Sequence, residues 1–333
     1  MSASLESEQI GQFNEDGFLI IPDVLSESFL NDIEDDYDVL LNQTARHLHE
    51  QGHTASRYDG MPFAERYIKV INEYPPAYNQ LGISLPLVKD ASFMPGDARV
   101  HASSTMLAML THPNILDVVE SIIGPEILSN PVQHTRIKPP TGDVPTALAA
   151  NTDVGTTIWH QDQSGYLADA AASNIVTVWV AVTDATPENG CLMCVRGNHK
   201  PNELTLHCPQ KGRPLSTFIP NSLIDTTKVI ALPVRRGGII LLHRLTQHAS
   251  LPNRSRSIRW SFDLRYNPVG EATGRPCFPA FVARSRAKPQ AVLSDAGRWQ
   301  ALWDEAHRRI VRGEAQGPLF NDMTPNALHP LCA

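Results

Sequence analysis

The apolar positions follow two rhythms, and the change between them divides the chain. Up to about residue 125 the helical period prevails. Ser26 reads as an N-cap for a helix carrying Phe29, Leu30, Ile33, Tyr37, Leu40 and Leu41 on one face. A second helix, over residues 112–123, has Pro113 at its start, Gly124-Pro125 at its end, and Leu116, Val119, Ile122 and Ile123 as its buried stripe. From about 126 to 268 the rhythm is that of strands: residues 132–138, 175–182, 190–195, 228–232, 238–242 and 258–266, divided by turns rich in Gly and Asn. Ahead of these, Asp16-Gly17 supplies a turn into the short apolar strand that Pro22 ends. Residues 294–311 form a closing amphipathic helix with Trp299, Leu302, Trp303, His307 and Ile310. Many short strands with tight turns imply a β sandwich or barrel rather than a βαβ sheet. The expected organisation is one catalytic domain over 1–333, with a helical part (about 24–125), a β core (about 126–268) and the closing helix.

Two strands carry more than a packing pattern. Residues 175–182 put Val176, Val178, Val180 and Val182 on one face and Thr177, Trp179 and Ala181 on the other. In the last strand Ile258, Trp260, Phe262, Leu264 and Tyr266 form a packing face. The opposite face, Arg259, Ser261, Asp263 and Arg265, is polar throughout, which suits a strand that lines a site. An inward guanidinium needs a partner. A dicarboxylate cosubstrate would serve, and pairing with a protein carboxylate such as Asp263 is the plainer alternative.

Composition narrows the function classes. The 333 residues are 42% hydrophobic and 19% charged, with a net charge of -7. This is an ordinary enzyme composition that argues against nucleic acid or an anionic membrane as main partner. No uninterrupted apolar run reaches the ~18 residues of a membrane span. The first residues lack the basic and apolar regions of a signal peptide, so a cytoplasmic location is expected. Five cysteines do not suggest a disulfide framework. Cys191 and Cys194 lie in an apparent buried strand with their sulfurs on opposite faces. His47, His49 and His53 read as a solvated helix end rather than a metal cluster. A homodimer is compatible with the sequence but not specified by it.

The candidate chemistry centres on Trp159-His160-Gln161-Asp162 and a later stretch beginning at His248. On a strand, His160 and Asp162 leave the same face and can hold one ion. A second imidazole from His248 completes two histidines and a carboxylate, the ligand set of non-heme Fe(II) oxygenases. His243 competes for the third position, and Arg254 and Arg256 compete with Arg259 for a carboxylate.

Taken together, several segments resemble the phytanoyl-CoA dioxygenase family of Fe(II)- and 2-oxoglutarate-dependent oxygenases. They are Asp16-Gly17-Phe18, Ile137-Lys138-Pro139-Pro140, Trp159-His160-Gln161-Asp162, Glu188-Asn189-Gly190-Cys191-Leu192, Gly197-Asn198-His199-Lys200, and His248-x-Ser250 followed by Arg259 and Arg265-Tyr266. The resemblance implies a mainly β fold with helical cladding and a double-stranded β-helix (jelly-roll, cupin-like) core. It implies Fe(II) on His160, Asp162 and His248, with 2-oxoglutarate and O₂ as cosubstrates. Arg259 and Ser250 would bind the distal carboxylate, and Trp179 and His134 would line the cosubstrate site, a core histidine being the alternative for His134. Retention of Asp162 favours oxygen insertion over halogenation. The long segment between Lys138 and His160 argues against phytanoyl-CoA itself. The expected reaction is hydroxylation, or else desaturation or rearrangement, of a medium-sized hydrophobic small molecule such as a natural-product intermediate. The alternatives are a cupin-like dioxygenase or isomerase that does not use 2-oxoglutarate, an acyl-CoA hydroxylase, and a non-catalytic jelly-roll binding protein.

Overall fold

One long strand near the C-terminal end of the β region ties the molecule together. The computed structural model describes residues 3–88, 91–210, 213–315, 317–319 and 324–332. In chain order these form α1 (Ser7–Asp16), β1 (Phe18–Ile21), α2 (Glu27–Glu50), α3 (Phe63–Glu73), α4 (Ser104–Leu110) and α5 (Pro113–Ile123). Strands β2 (Glu126–Ser129), β3 (His134–Lys138), β4 (Val176–Ala181), β5 (Leu192–Val195), β6 (Cys208–Gln210) and β7 (Arg213–Phe218) follow. The remainder is β8 (Val229–Leu232), β9 (Ile239–His243), β10 (His248–Ser250), β11 (Arg259–Pro268), β12 (Phe281–Ser285) and α6 (Ala296–Val311).

All pairings are antiparallel. The major sheet runs β1-β9-β4-β11-β2-β12, with β3 also on β11, and the minor sheet runs β10-β5-β8. Between the two sheets lies a core that takes Phe18, Trp179, Ala181, Ile240 and Leu242 from the major sheet and Leu192, Cys194 and Leu232 from the minor one. The outer face of the major sheet, with Val176, Val178, Val180, Phe262 and Leu264, packs under the helices through Leu30, Ile33, Tyr37, Trp299 and Trp303. The period-two reading of β4 thus assigns each face to its own core, that of β11 sends its apolar face to the helical side, and the expected jelly roll with helical cladding is what forms.

The helical layer departs from expectation in places. Asp16, read as part of a turn, belongs with the buried Phe13 to α1, whose box of Glu6 and Gln9 caps its start. Gly17 ends the helix at φ 81°, where a Cβ would overlap His199 Nδ1 and lie 2.7 Å from Thr246 Oγ1. Ser26 caps α2 by accepting from Phe29 N. The buried residues of α5 are Ile115, Leu116, Val118 and Val119, so the stripe lies nearer its start than Ile122 and Ile123. Leu302 of α6 is exposed because Ala306 completes the buried face instead.

The 20-residue stretch Ser104–Ile123 has a mean hydropathy of 1.2 and enough length to cross a membrane. In this fold it breaks into α4 and α5, whose apolar sides are core. One disulfide, Cys208–Cys332, forms where the cysteine count suggested none. The pair is distant in sequence and only the tertiary fold brings it together.

Candidate active site

The first two candidate ligands are set by different local structures. His160 lies in an isolated antiparallel bridge to His248, with His160 N bonding His248 O at 3.0 Å and His248 N bonding His160 O at 2.9 Å. Asp162, expected on the same strand, instead opens a short 3₁₀ turn. The strand ends because Gln161 turns inward, its side chain donating to Leu245 O (2.7 Å) and accepting from Thr205 N (2.7 Å). The carboxylate still meets both rings: Asp162 Oδ1 is 3.7 Å from His160 Nε2 and 4.0 Å from His248 Nε2. Two metal–ligand bonds of about 2.1 Å span up to about 4.2 Å, so one ion can reach these atoms. Among the described residues this is the one group of three or more His, Cys, Asp or Glu side chains with metal-ligating spacing. His243 sits apart from it, against His199 and Phe13. His47, His49 and His53 are not such a cluster; His49 bonds Thr54 O and His53 stacks on Tyr74.

Each donor is oriented from behind. His160 Nδ1 bonds Ile158 O and His248 Nδ1 bonds Thr246 O, both at 2.9 Å, which leaves each Nε2 as the lone-pair nitrogen facing the site. Burial pushes His248 down to about 4, so its ring is neutral at physiological pH. Arg265 Nη2 donates to Asp162 Oδ1 (2.8 Å) and Thr177 Oγ1 to Oδ2, while Oδ1 keeps a second lone pair. Burial alone would raise Asp162, but Arg265 and the two histidines override it and hold the carboxyl well below its usual range.

Beside the triad lies a buried cationic patch. Arg259 is 0% exposed, and Nη1 donates to Ser261 Oγ (2.6 Å). Among the described residues its Nε and Nη2 have no partner, and Trp179, its own Nε1 likewise unpartnered, lies under the guanidinium at 5.3 Å. Asp263, the protein carboxylate that could have neutralised Arg259, is bonded by Arg136 Nε at 2.5 Å instead. Lys138 is directly across from Arg259 in the β3–β11 register. It donates to Gly155 O (2.5 Å), Thr157 Oγ1 (2.6 Å) and, at 3.4 Å, Ser250 Oγ. Burial, with Arg259 and Arg136 close by, pushes Lys138 well below the usual lysine range. Ser250 also accepts from Thr157 N (2.9 Å), so it joins the patch through Lys138 rather than by a bond to Arg259. Arg254 and Arg256 are exposed loop residues.

His134 faces a cavity. It lies 3.4 Å from Asp153 and lines a cavity of about 500 Å³ whose walls include Tyr78, Leu85, Leu87, Val88, Phe93 and Asn151. That cavity is adjacent to the triad through one strand: His134 is opposite Asp263, and two positions along the same face Arg265 holds Asp162. Sequence reading did not single out Lys138 or Arg136 as site residues. The signal was the alternation His134, Arg136, Lys138, which places three basic side chains on the same face of β3.

Comparison with known proteins follows the same outline. The family model for phytanoyl-CoA dioxygenase (PhyH) matches residues 13–261. Phytanoyl-CoA dioxygenase domain-containing protein 1 of Rattus norvegicus is 31% identical over 106 residues, covering 31% of this chain and 36% of that protein. The match therefore spans about a third of that relative's length. Phytanoyl-CoA dioxygenase of Arabidopsis thaliana is 23% identical over 273 residues, 79% of this chain and 89% of the relative. Among solved structures, the non-heme monooxygenase ThoJ in its apo form superposes with a TM-score of 0.55 at 21% identity, over 92% of this chain and 99% of that one.

Proposed function

The chain belongs to the phytanoyl-CoA dioxygenase family, and from that premise we propose that it is an Fe(II)- and 2-oxoglutarate-dependent oxygenase acting on a medium-sized, largely hydrophobic small molecule. In the balanced reaction a substrate C–H, 2-oxoglutarate and O₂ give a C–OH, succinate and CO₂. The observation that carries this reading is Arg259, a fully buried guanidinium with two nitrogens unpartnered among the described residues, beside a triad that could hold a metal. Leaving such donors unmade is costly, and a carboxylate satisfies two of them at once.

His160, Asp162 and His248 would hold the iron, which supplies O₂ activation coupled to decarboxylation of the 2-oxo acid. Arg259 would take the distal carboxylate, with Trp179 packed under its guanidinium. Lys138 fastens Gly155 and Thr157 over the patch and so keeps water from it. The cavity beside His134 would hold the substrate. Its aliphatic and aromatic wall, Leu85, Leu87, Val88, Phe93 and Tyr78, suits an apolar body, while Asn151, Asp153 and His134 offer polar contacts for orientation. A cupin-type reaction without 2-oxoglutarate would give Arg259 no partner.

The test is anaerobic addition of Fe(II) and 2-oxoglutarate, which should give a weak visible charge-transfer band, followed by succinate release on admitting O₂. Both signals should vanish in His160→Ala. A band or succinate yield unchanged in that variant sinks the assignment.

A further inference from the structure

Behind the metal loop, three segments meet at the residue between its two ligands. Gln161 is fully buried, and its backbone N–H donates to His207 Nε2 at 3.0 Å. His207 is itself 0% exposed, and its Nδ1–H goes to Thr205 O at 2.7 Å, which fixes Nε2 as the acceptor. The same stretch grips the loop by side chain, since Thr205 N donates to Gln161 Oε1 and Gln247 Nε2 donates to Thr205 Oγ1 (2.8 Å).

His207 is held in turn by the C-terminal segment. Asn326 Nδ2 donates to His207 O at 2.8 Å, and the next residue, Cys208, is joined to Cys332. The geometry matters because the two ligands are not equally anchored. His160 is locked to His248 by the bridge, but Asp162 sits in a turn outside the ladder. Its backbone is placed by the bonds on either side of it, Gln163 N to Arg244 O (3.0 Å) and Gln161 N to His207. Without the imidazole, a buried N–H would be left unpaired, and the turn into Asp162 would lose one of the bonds that set it, keeping those of Ser164 to Gln161 O.

We propose that His207 is a positioning residue for the metal loop and that the Cys208–Cys332 disulfide, with Asn326, keeps it in place, so that the C-terminal segment tunes how tightly the triad binds its metal. This rests on the triad being the metal site, and the experiment separates the two claims.

Disulfide-intact apoprotein would be titrated anaerobically with Co(II), reading the dissociation constant and the visible d–d spectrum at saturation, with far-UV circular dichroism to check folding. His207→Leu should bind Co(II) about 10- to 100-fold more weakly, with altered bands, as loss of an outer-shell partner does. His207→Gln, whose Oε1 can accept the same N–H, should recover to within about threefold of wild type on that scale. Cys332→Ser, a change remote from the loop that leaves His207 intact, should fall between wild type and His207→Leu, at least about threefold weaker than wild type. His160→Ala is the control and should lose binding. The proposal is overturned if His160→Ala loses Co(II) while His207→Leu or Cys332→Ser keeps the wild-type constant and spectrum. Retention of Co(II) by His160→Ala would overturn the triad assignment itself.

Discussion

Arg259→Leu should weaken the protein's hold on 2-oxoglutarate while leaving the unliganded fold as stable as before, or more so. In the free protein the guanidinium is wholly buried, and among the described residues Ser261 is its one hydrogen-bond partner. Burial pushes it down to about 10, although it stays charged at neutral pH. Replacing a buried, poorly compensated charge by an apolar side chain of similar volume is often neutral or stabilising. With cosubstrate bound, Nε and Nη2 would each make a charge-assisted bond worth about 1.5–3 kcal/mol. Their joint loss, about 3–6 kcal/mol, corresponds to roughly 10²- to 10⁴-fold in affinity. The assay is thermal melting of Mn(II)-loaded protein with and without 2-oxoglutarate, backed by calorimetric titration. At about 100 times its dissociation constant the ligand contributes about 2.7 kcal/mol, a rise of about 5 °C for a chain this large. The wild type should show that rise, and Arg259→Leu should show none while melting no lower than wild type without ligand. Affinity within tenfold of wild type would refute the reasoning, as would an unchanged ligand-induced rise.

Two further outcomes concern the scaffold. Burial pushes His207 and His243 down to about 4, below the ordinary value near 6.5 that they regain on unfolding. The unfolded chain therefore takes up protons first, and stability is lost as pH falls from about 6.5 towards 4 and is flat above that window; urea midpoints of the apoprotein that do not change across it would contradict this. Gly17→Ala combines a left-handed φ with overlap on His199 and Thr246, so a loss of about 2–4 kcal/mol is expected in urea unfolding, and a loss under about 0.5 kcal/mol would show that the α1–β1 junction relaxes.

Alternation along strands made much of this molecule legible. In β11 it separated Arg259, Ser261, Asp263 and Arg265 from Trp260, Phe262 and Leu264, and in the structure the second set packs into the helical core while Arg265 of the first bonds Asp162. The same period applied to β3 would have flagged Lys138 and Arg136. Lys138 stands in the Ile137-Lys138-Pro139-Pro140 segment of the resemblance, but neither residue is marked as a site residue, because a short strand with a basic residue at every second position also reads as a solvated edge. What sequence did not disclose depends on long-range partners. Nothing local says that Asp263 pairs with Arg136 rather than Arg259, because that choice is made across the β3–β11 ladder. Asp162 leaves the strand because the Gln161 side chain finds Leu245 and Thr205, residues distant in the chain. His134 keeps its strand position, but its neighbour Asp153 comes from a segment with no periodic signature.

The paired backbone bonds between His160 and His248 have a consequence for how such a protein can diversify. Both histidines occupy a single rung, so the interval between the two imidazoles is fixed by ladder geometry and owes nothing to the length of polypeptide joining them. The intervening chain can therefore grow, shrink or exchange its loops without retuning that spacing. New specificities become accessible by insertion rather than by rebuilding the metal centre. The carboxylate has no such protection, because its turn is shaped by the very segments that vary.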